Sequence, residues 1–296
     1  MQKNNLRHFI HLHFLVFIAG FTAILGKLIL IVNSPVAIVW HRMLIASVLT
    51  AFFMLISKRN FRINLKLLLK YSMLGLIIAL HWITFFEAIE QSNISVTLAM
   101  FSTAAFFTSI LEPLLFKRKV IIYEVVLGFV VIAGVSIIFN AEFKYLYGII
   151  LGIFSALFAS LFSVLNGIMI KNDNAIKISF YEFISGVIFI TIYIFFSSDL
   201  SDLYIDDFLS LNYLYIFLLG TICTAYAFIA SVYLLKFISP YSVVLTYNLE
   251  PIYGIILALM FFGNAEKMSF SFYLGLFLIL ASVIINMYVK KINNND

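Results

Sequence analysis

Ten apolar runs follow one another along the chain, near residues 9–32, 35–57, 67–89, 93–116, 121–140, 146–170, 179–198, 213–236, 240–263 and 272–289. Crossing the hydrocarbon of a bilayer takes about 20 residues of helix, and most of these runs are that long. With 64% hydrophobic and 11% charged residues, a water-soluble fold would be left with more apolar surface than it can hide. Helices satisfy their own backbone groups inside lipid, so the runs predict an all-α integral membrane protein with ten transmembrane helices. The connections are a few residues long except at 57–66 and 197–212, which leaves no space for a soluble domain. The first run is long, lacks a small-residue cleavage site and is followed at once by a second span, so it reads as a span and not as a signal peptide.

Charge then orients the spans. Lys3, Arg7, Lys58, Arg59, Arg62, Lys66, Lys70, Lys117, Arg118, Lys119, Lys171, Lys177, Lys236, Lys290 and Lys291 fall on one side, against Lys144 and Lys267 in the loops of the other. Basic loops stay cytoplasmic, so both termini are expected inside, in a multi-pass protein of the cell (inner) membrane. The long outer loop is acidic, with Asp199, Asp202, Asp206 and Asp207. A formal charge of +5 spread over short loops is a topology signal and does not point to nucleic acid. The single cysteine, Cys223, excludes a disulfide framework and a cysteine-rich metal site.

The stretch 239–263 departs most from a plain span. Pro240 suits a first helical turn, and at about 1.5 Å per residue Glu250 lies roughly 15 Å further in, near the bilayer centre. Pro251 follows it and frees a carbonyl one turn earlier, beside Tyr247 and Asn248. Irregular backbone at that depth survives only against protein or water, which marks a candidate site for a substrate or a proton. Glu250 is expected either to exchange protons or to bind a cationic group.

Other polar residues inside the spans carry two readings each. Lys27 lies about five residues from the outer end of helix one, where its stem can snorkel or its ammonium can meet substrate; Glu87, at a similar depth on helix three, is a candidate partner. Arg42 sits about 10 Å inside the outer face by helix rise, so it needs a buried partner or a polar cavity. His81 and Trp82 fall near the depth of Glu250, where a histidine is either a satisfied core residue or a proton relay facing the acid. Tyr226, Asn166, Tyr247 and Asn248 are candidates to line a pocket, or else to hydrogen-bond between helices. Glu112 and Glu182, near inner helix ends, read as interfacial.

Enzyme-like signals fail. Gly20 to Lys27 imitates a phosphate loop but has one residue too many between its glycines and ends in Leu28 within a span. His8, His11 and His13 are divided over two helix faces with no acidic or cysteine ligand nearby. No catalytic cluster, metal site or cofactor is expected. Gly148, Gly152, Ala156 and Ser160 or Ser163 form a small-residue stripe suited to close helix packing.

A shift of 147 residues places Ser92, Ser95-Val96, Leu98 and Gly128 on Ser239, Ser242-Val243, Leu245 and Gly275, and superposes the helix pair 93–140 on 240–289. The chain divides into a first repeat at 1–144 and a second at 145–296. Five helices per repeat is an odd number, so the second must cross the membrane the other way up: two inverted five-helix repeats, as in many secondary transporters.

Ser239-Pro240, Leu249-Glu250-Pro251, Gly263, Glu266 and Gly275 resemble the end of an EamA-type repeat of the drug/metabolite transporter superfamily. Arg42 and Gly128 resemble residues usual in the first repeat. The first half departs from the pattern with Thr103 and Ala104 in place of Glu250 and Pro251, and Lys119 in place of Glu266. The resemblance implies a proton-linked or facilitative carrier, commonly an exporter of amino acids or related small metabolites. The expectation is a monomer or homodimer in the lipid bilayer, working by alternating access around a midplane cavity with a small-molecule substrate and protons as its partners. A passive facilitator or channel is the alternative, and a membrane-embedded lipid-modifying enzyme a more distant one.

Overall fold

The computed structural model describes residues 2–117, 119, 121–197 and 210–293. Arg118 and the acidic positions Asp199, Asp202, Asp206 and Asp207 lie outside them. Among the described residues the secondary structure is entirely helical: α1 (Gln2–Ile29), α2 (Pro35–Ile56), α3 (Leu65–Gln91), α4 (Ile94–Phe101), α5 (Ala104–Phe116), α6 (Ile122–Ala141), α7 (Leu146–Met169), α8 (Ala175–Ser197), α9 (Leu211–Gly220), α10 (Ala227–Leu234), α11 (Pro240–Tyr247), α12 (Glu250–Phe262) and α13 (Phe270–Asn293). Three spans are composite: α4 with α5, α9 with α10 through a π-helical turn at Thr221–Tyr226, and α11 with α12. The result is ten spans in two five-span repeats, the second opposite in direction to the first because five crossings reverse the chain. Lys58, Arg59, Lys117, Lys171 and Lys236 follow spans on one face, here the basic face; Lys144 and Lys267 lie on the opposite face.

Caps set the helix starts. Ser34 accepts the N–H of Ala37 ahead of α2, with Pro35 at the first helical position, and Ser239 does the same for Ser242 ahead of α11 and Pro240. Asn174 accepts the N–H of Lys177, which starts α8 at Ala175 and not at 179 as the apolar run suggests. Lys177 looks like loop by hydropathy, but it forms an ion pair with Asp173 and sits in the first turn.

The ninth span breaks at Asn248–Leu249, where Pro251 removes a donor. The fourth breaks at the matching level, Ser102–Thr103, without any proline. There, hydroxyls compete with the helix for its carbonyls: Ser102 donates to Leu98, Thr103 to Met100 and Thr108 to Ala104.

The small-residue stripe of α7 holds the broken fourth span. A Cβ at Gly152 would lie 2.8 Å from that of Met100, and one at Gly148 2.6 Å from that of Ser92. Ser160 Oγ donates to the Ala104 carbonyl at the start of α5. Side chains this small let the backbones approach closely.

Two sequence expectations are corrected here. Glu112 and Glu182 are not interfacial; both are buried, because neighbouring helices cover the ends of α5 and α8. Glu112 Oε2 accepts the N–H of Tyr241 at 2.6 Å, an orphan donor in the first turn of α11.

Candidate functional site

Where the two broken spans face each other, a cavity of about 140 Å³ opens between the repeats. One wall is aromatic. His81, Trp82, Phe85, Phe101, Phe162 and Phe228 line it, with His81 5.5 Å from Phe101 and 5.4 Å from Phe162 between ring centres. The other wall is polar and comprises Arg42, Ser163, Asn166, Ser231, Tyr247, Asn248 and Glu250.

Glu250 begins α12, so the break presents it to the cavity instead of hiding it along a continuous helix. It is 5% exposed, and no described residue donates a hydrogen bond to its carboxylate. Arg42, from α2, shares the cavity, and among the described residues no ion pair joins it to Glu250. The guanidinium lies 3.9 Å from the centre of the Trp82 ring. Its Nε donates to Thr224 Oγ1 at 2.9 Å, while Nη1 has no hydrogen-bond partner among the described residues. Thr224 belongs to the π-helical turn and itself donates to the Leu219 carbonyl five residues earlier, which is how that turn aims its oxygen at Arg42.

The remaining polar lining is tied down. The Tyr247 hydroxyl pairs with Ser231 at 2.7 Å. Asn248 Nδ2 donates to the Ser102 carbonyl. His81 Nδ1 lies 3.0 Å from the Ser155 carbonyl and 2.9 Å from its hydroxyl, while that hydroxyl donates to the His81 carbonyl. This arrangement puts the proton of a neutral His81 on Nδ1 and leaves Nε2 as an acceptor. Asn166 lines the cavity, and neither of its amide atoms is hydrogen-bonded among the described residues.

Two predicted residues are not brought to the cavity. Tyr226 is 45% exposed and its hydroxyl bonds His11 Nε2 at 2.9 Å, because the π-helical turn rotates it away while Thr224 turns inward. Lys27 pairs with Glu266 at 2.5 Å near the opposite face, and not with Glu87, which accepts from Gln91 one turn along α3. Glu266 also accepts the N–H groups of Ile94 and Ser95 and the Ser95 hydroxyl, so a carboxylate of the second repeat caps α4 of the first. The sequence reading missed Glu112 as its counterpart at α11. Leu111-Glu112-Pro113 does repeat Leu249-Glu250-Pro251, but at an offset of 138 residues and not 147 (250 − 112 = 138), and this hides it from the alignment of the halves.

An all-helical bundle of ten spans, with a central cavity at paired helix breaks, defines a secondary-transporter architecture. The chain belongs to the EamA-like transporter family, whose model matches residues 10–140 and 146–288. It is a membrane transporter in contact with the lipid bilayer, and a small molecule is its substrate. A protein known from a crystal structure is similar in fold, with a TM-score of 0.68 at 12% identity over 94% of this chain and 96% of that one. Among curated proteins none matches the sequence.

Proposed function

We propose that this transporter exports amino acids or closely related zwitterions by alternating access, coupled to protons through Glu250. The observation that carries this reading is the pairing of two unsatisfied opposite charges in one cavity. Among the described residues Arg42 Nη1 has no partner and none donates to the Glu250 carboxylate, and an aromatic wall lies beside both. A substrate carboxylate suits the guanidinium, whose planar donors match it, and a substrate ammonium suits Glu250 and the ring faces. Tyr247, Asn248, Trp82 and His81 shape the pocket between them. Tyr226 and Lys27 stand outside it and act on structure, not on substrate. The halves at 1–144 and 145–296 would move against each other about this site, with the basic face in the cytoplasm.

Counterflow in reconstituted vesicles tests the substrate class. Zwitterionic amino acids should compete, whereas analogues lacking either charge should compete far more weakly; equal competition by neutral analogues overturns the reading. Uptake should depend on an imposed pH gradient, and Glu250→Gln should abolish that dependence while sparing some downhill exchange. An unchanged pH response in a folded Glu250→Gln carrier would instead favour a facilitator selecting by its aromatic wall.

A further inference from the structure

Between the cavity and the basic face a second acid is buried with nothing to answer it. Glu182 on α8 is 0% exposed, and neither of its carboxylate oxygens has a hydrogen-bond partner among the described residues. Asn166 on α7 is equally buried, with both amide atoms unbonded, and it stands close enough to Glu182 to interact without completing a hydrogen bond. Ser179, one turn before Glu182, has an unbonded hydroxyl as well. Three residues thus hold five unpartnered polar atoms, in interiors where such groups are nearly always bonded. Asn166 also lines the central cavity, so it stands between Glu182 and the chamber that holds Glu250.

The position within the repeat is not arbitrary. Arg42 lies eight residues beyond the cap Ser34 of α2 (42 − 34 = 8), and Glu182 eight beyond the cap Asn174 of α8 (182 − 174 = 8). Matching helices of the two repeats therefore carry opposite charges at matching places, one in each half of the membrane.

An ionised carboxylate buried without a partner is the costliest form such a cluster can take. What it lacks is a cation. The four side-chain oxygens of Glu182, Asn166 and Ser179 fall short of the roughly six that hard metal ions take, whereas a proton needs one. The surroundings leave that role open. From α3, Tyr71 donates its hydroxyl to Asp173, which is in turn paired with Lys177 at the foot of α8. From α2, Met43 meets α8 at Gly186 and Trp40 donates to Thr191, and from α10 Phe228 packs against Phe183. None of these supplies a counter-charge.

We propose that Glu182 is a second proton-binding residue of the carrier, exchanging its proton with the cavity past Asn166. This inference rests on the proton-coupled reading of Glu250, but its test is separate. In infrared difference spectra of the purified protein in lipid, recorded across a pH titration, a carboxyl C=O band that shifts in D2O should appear and vanish reversibly. Glu182→Gln should remove that band, Glu250→Gln should leave it, and Asn166→Leu should keep it while slowing its exchange with D2O. A wild-type spectrum in Glu182→Gln, or a band that does not respond to pH, overturns the proposal. Should Glu182→Gln fail to fold, a hydrophobic carbodiimide on the wild-type protein decides, since it captures protonated buried carboxyls: modification of Glu182 that falls as pH rises supports the proposal, and none at any pH overturns it. Failure of the Glu250 reading would show differently, as unchanged gradient-driven transport in Glu250→Gln.

Discussion

Asn248 donates its side-chain amide to the backbone carbonyl of Ser102 at 2.9 Å, tying the break in the ninth span to the break in the fourth. Each break interrupts a helix where lipid offers no replacement partner, and here the ninth-span break supplies a donor to a carbonyl of the fourth across the repeat boundary. The contact also fixes Asn248 beside Glu250, holding the start of α12 at the cavity wall.

Replacing Asn248 with Leu should therefore cost stability as well as transport. Removing one partner of a buried hydrogen bond costs about 1–3 kcal/mol, and thermal unfolding in detergent should register that loss. Asn248→Gln, which keeps an amide on a longer stem, should recover part of it. Wild-type stability in Asn248→Leu would mean the breaks stand independently.

The Lys27–Glu266 pair ties α1 to the end of α12 and, through the Ile94 and Ser95 donors, to α4. If this closes the opposite face, cysteines at both positions, in a Cys223→Ala background, should be bridged by a short bis-thiol reagent, and bridging should stop transport until it is cleaved. Bridged carriers turning over at the unbridged rate would show that this contact persists throughout the cycle.

Close approach of α7 to α4 leaves no space at Gly152, where an added Cβ would meet Met100 at 2.8 Å. Gly152→Val should destabilise the carrier by about 1–3 kcal/mol through overpacking, measured as a fall in thermal midpoint. Paired with Met100→Ala, which clears the contact, the same substitution should cost less than the sum of the two.

Orientation is tested by thiol labelling. In the same cysteine-free background, a cysteine at Asn60 should react with impermeant reagents only from the cytoplasmic side, and one at Asn264 only from outside. Both positions are exposed, so poor reactivity from both sides cannot be laid to burial. Reversed labelling would invert the proposed topology.

Hydropathy and charge are properties of short stretches, and they determined how often the chain crosses the membrane and which loops share a face. Local chemistry located the ninth-span break as well, since Pro251 lacks a donor wherever it is placed. The fourth-span break was not visible in that way, because its hydroxyls at Ser102 and Thr103 are compatible with continuous helix until Asn248 arrives to take a carbonyl. Depth along a span put Arg42, His81, Trp82 and Glu250 at plausible levels, but depth says nothing about azimuth. One π-helical turn sends Tyr226 outward and Thr224 inward, and only the packed bundle decides that. Partner choice is likewise tertiary: Lys27 has Glu87 near its own depth, yet it meets Glu266, 239 residues along the chain. Burial of Glu112 follows from α7 and α11, far later in the chain, and that of Glu182 from α2 and α3, far earlier, so no window of sequence around either residue contains the cause.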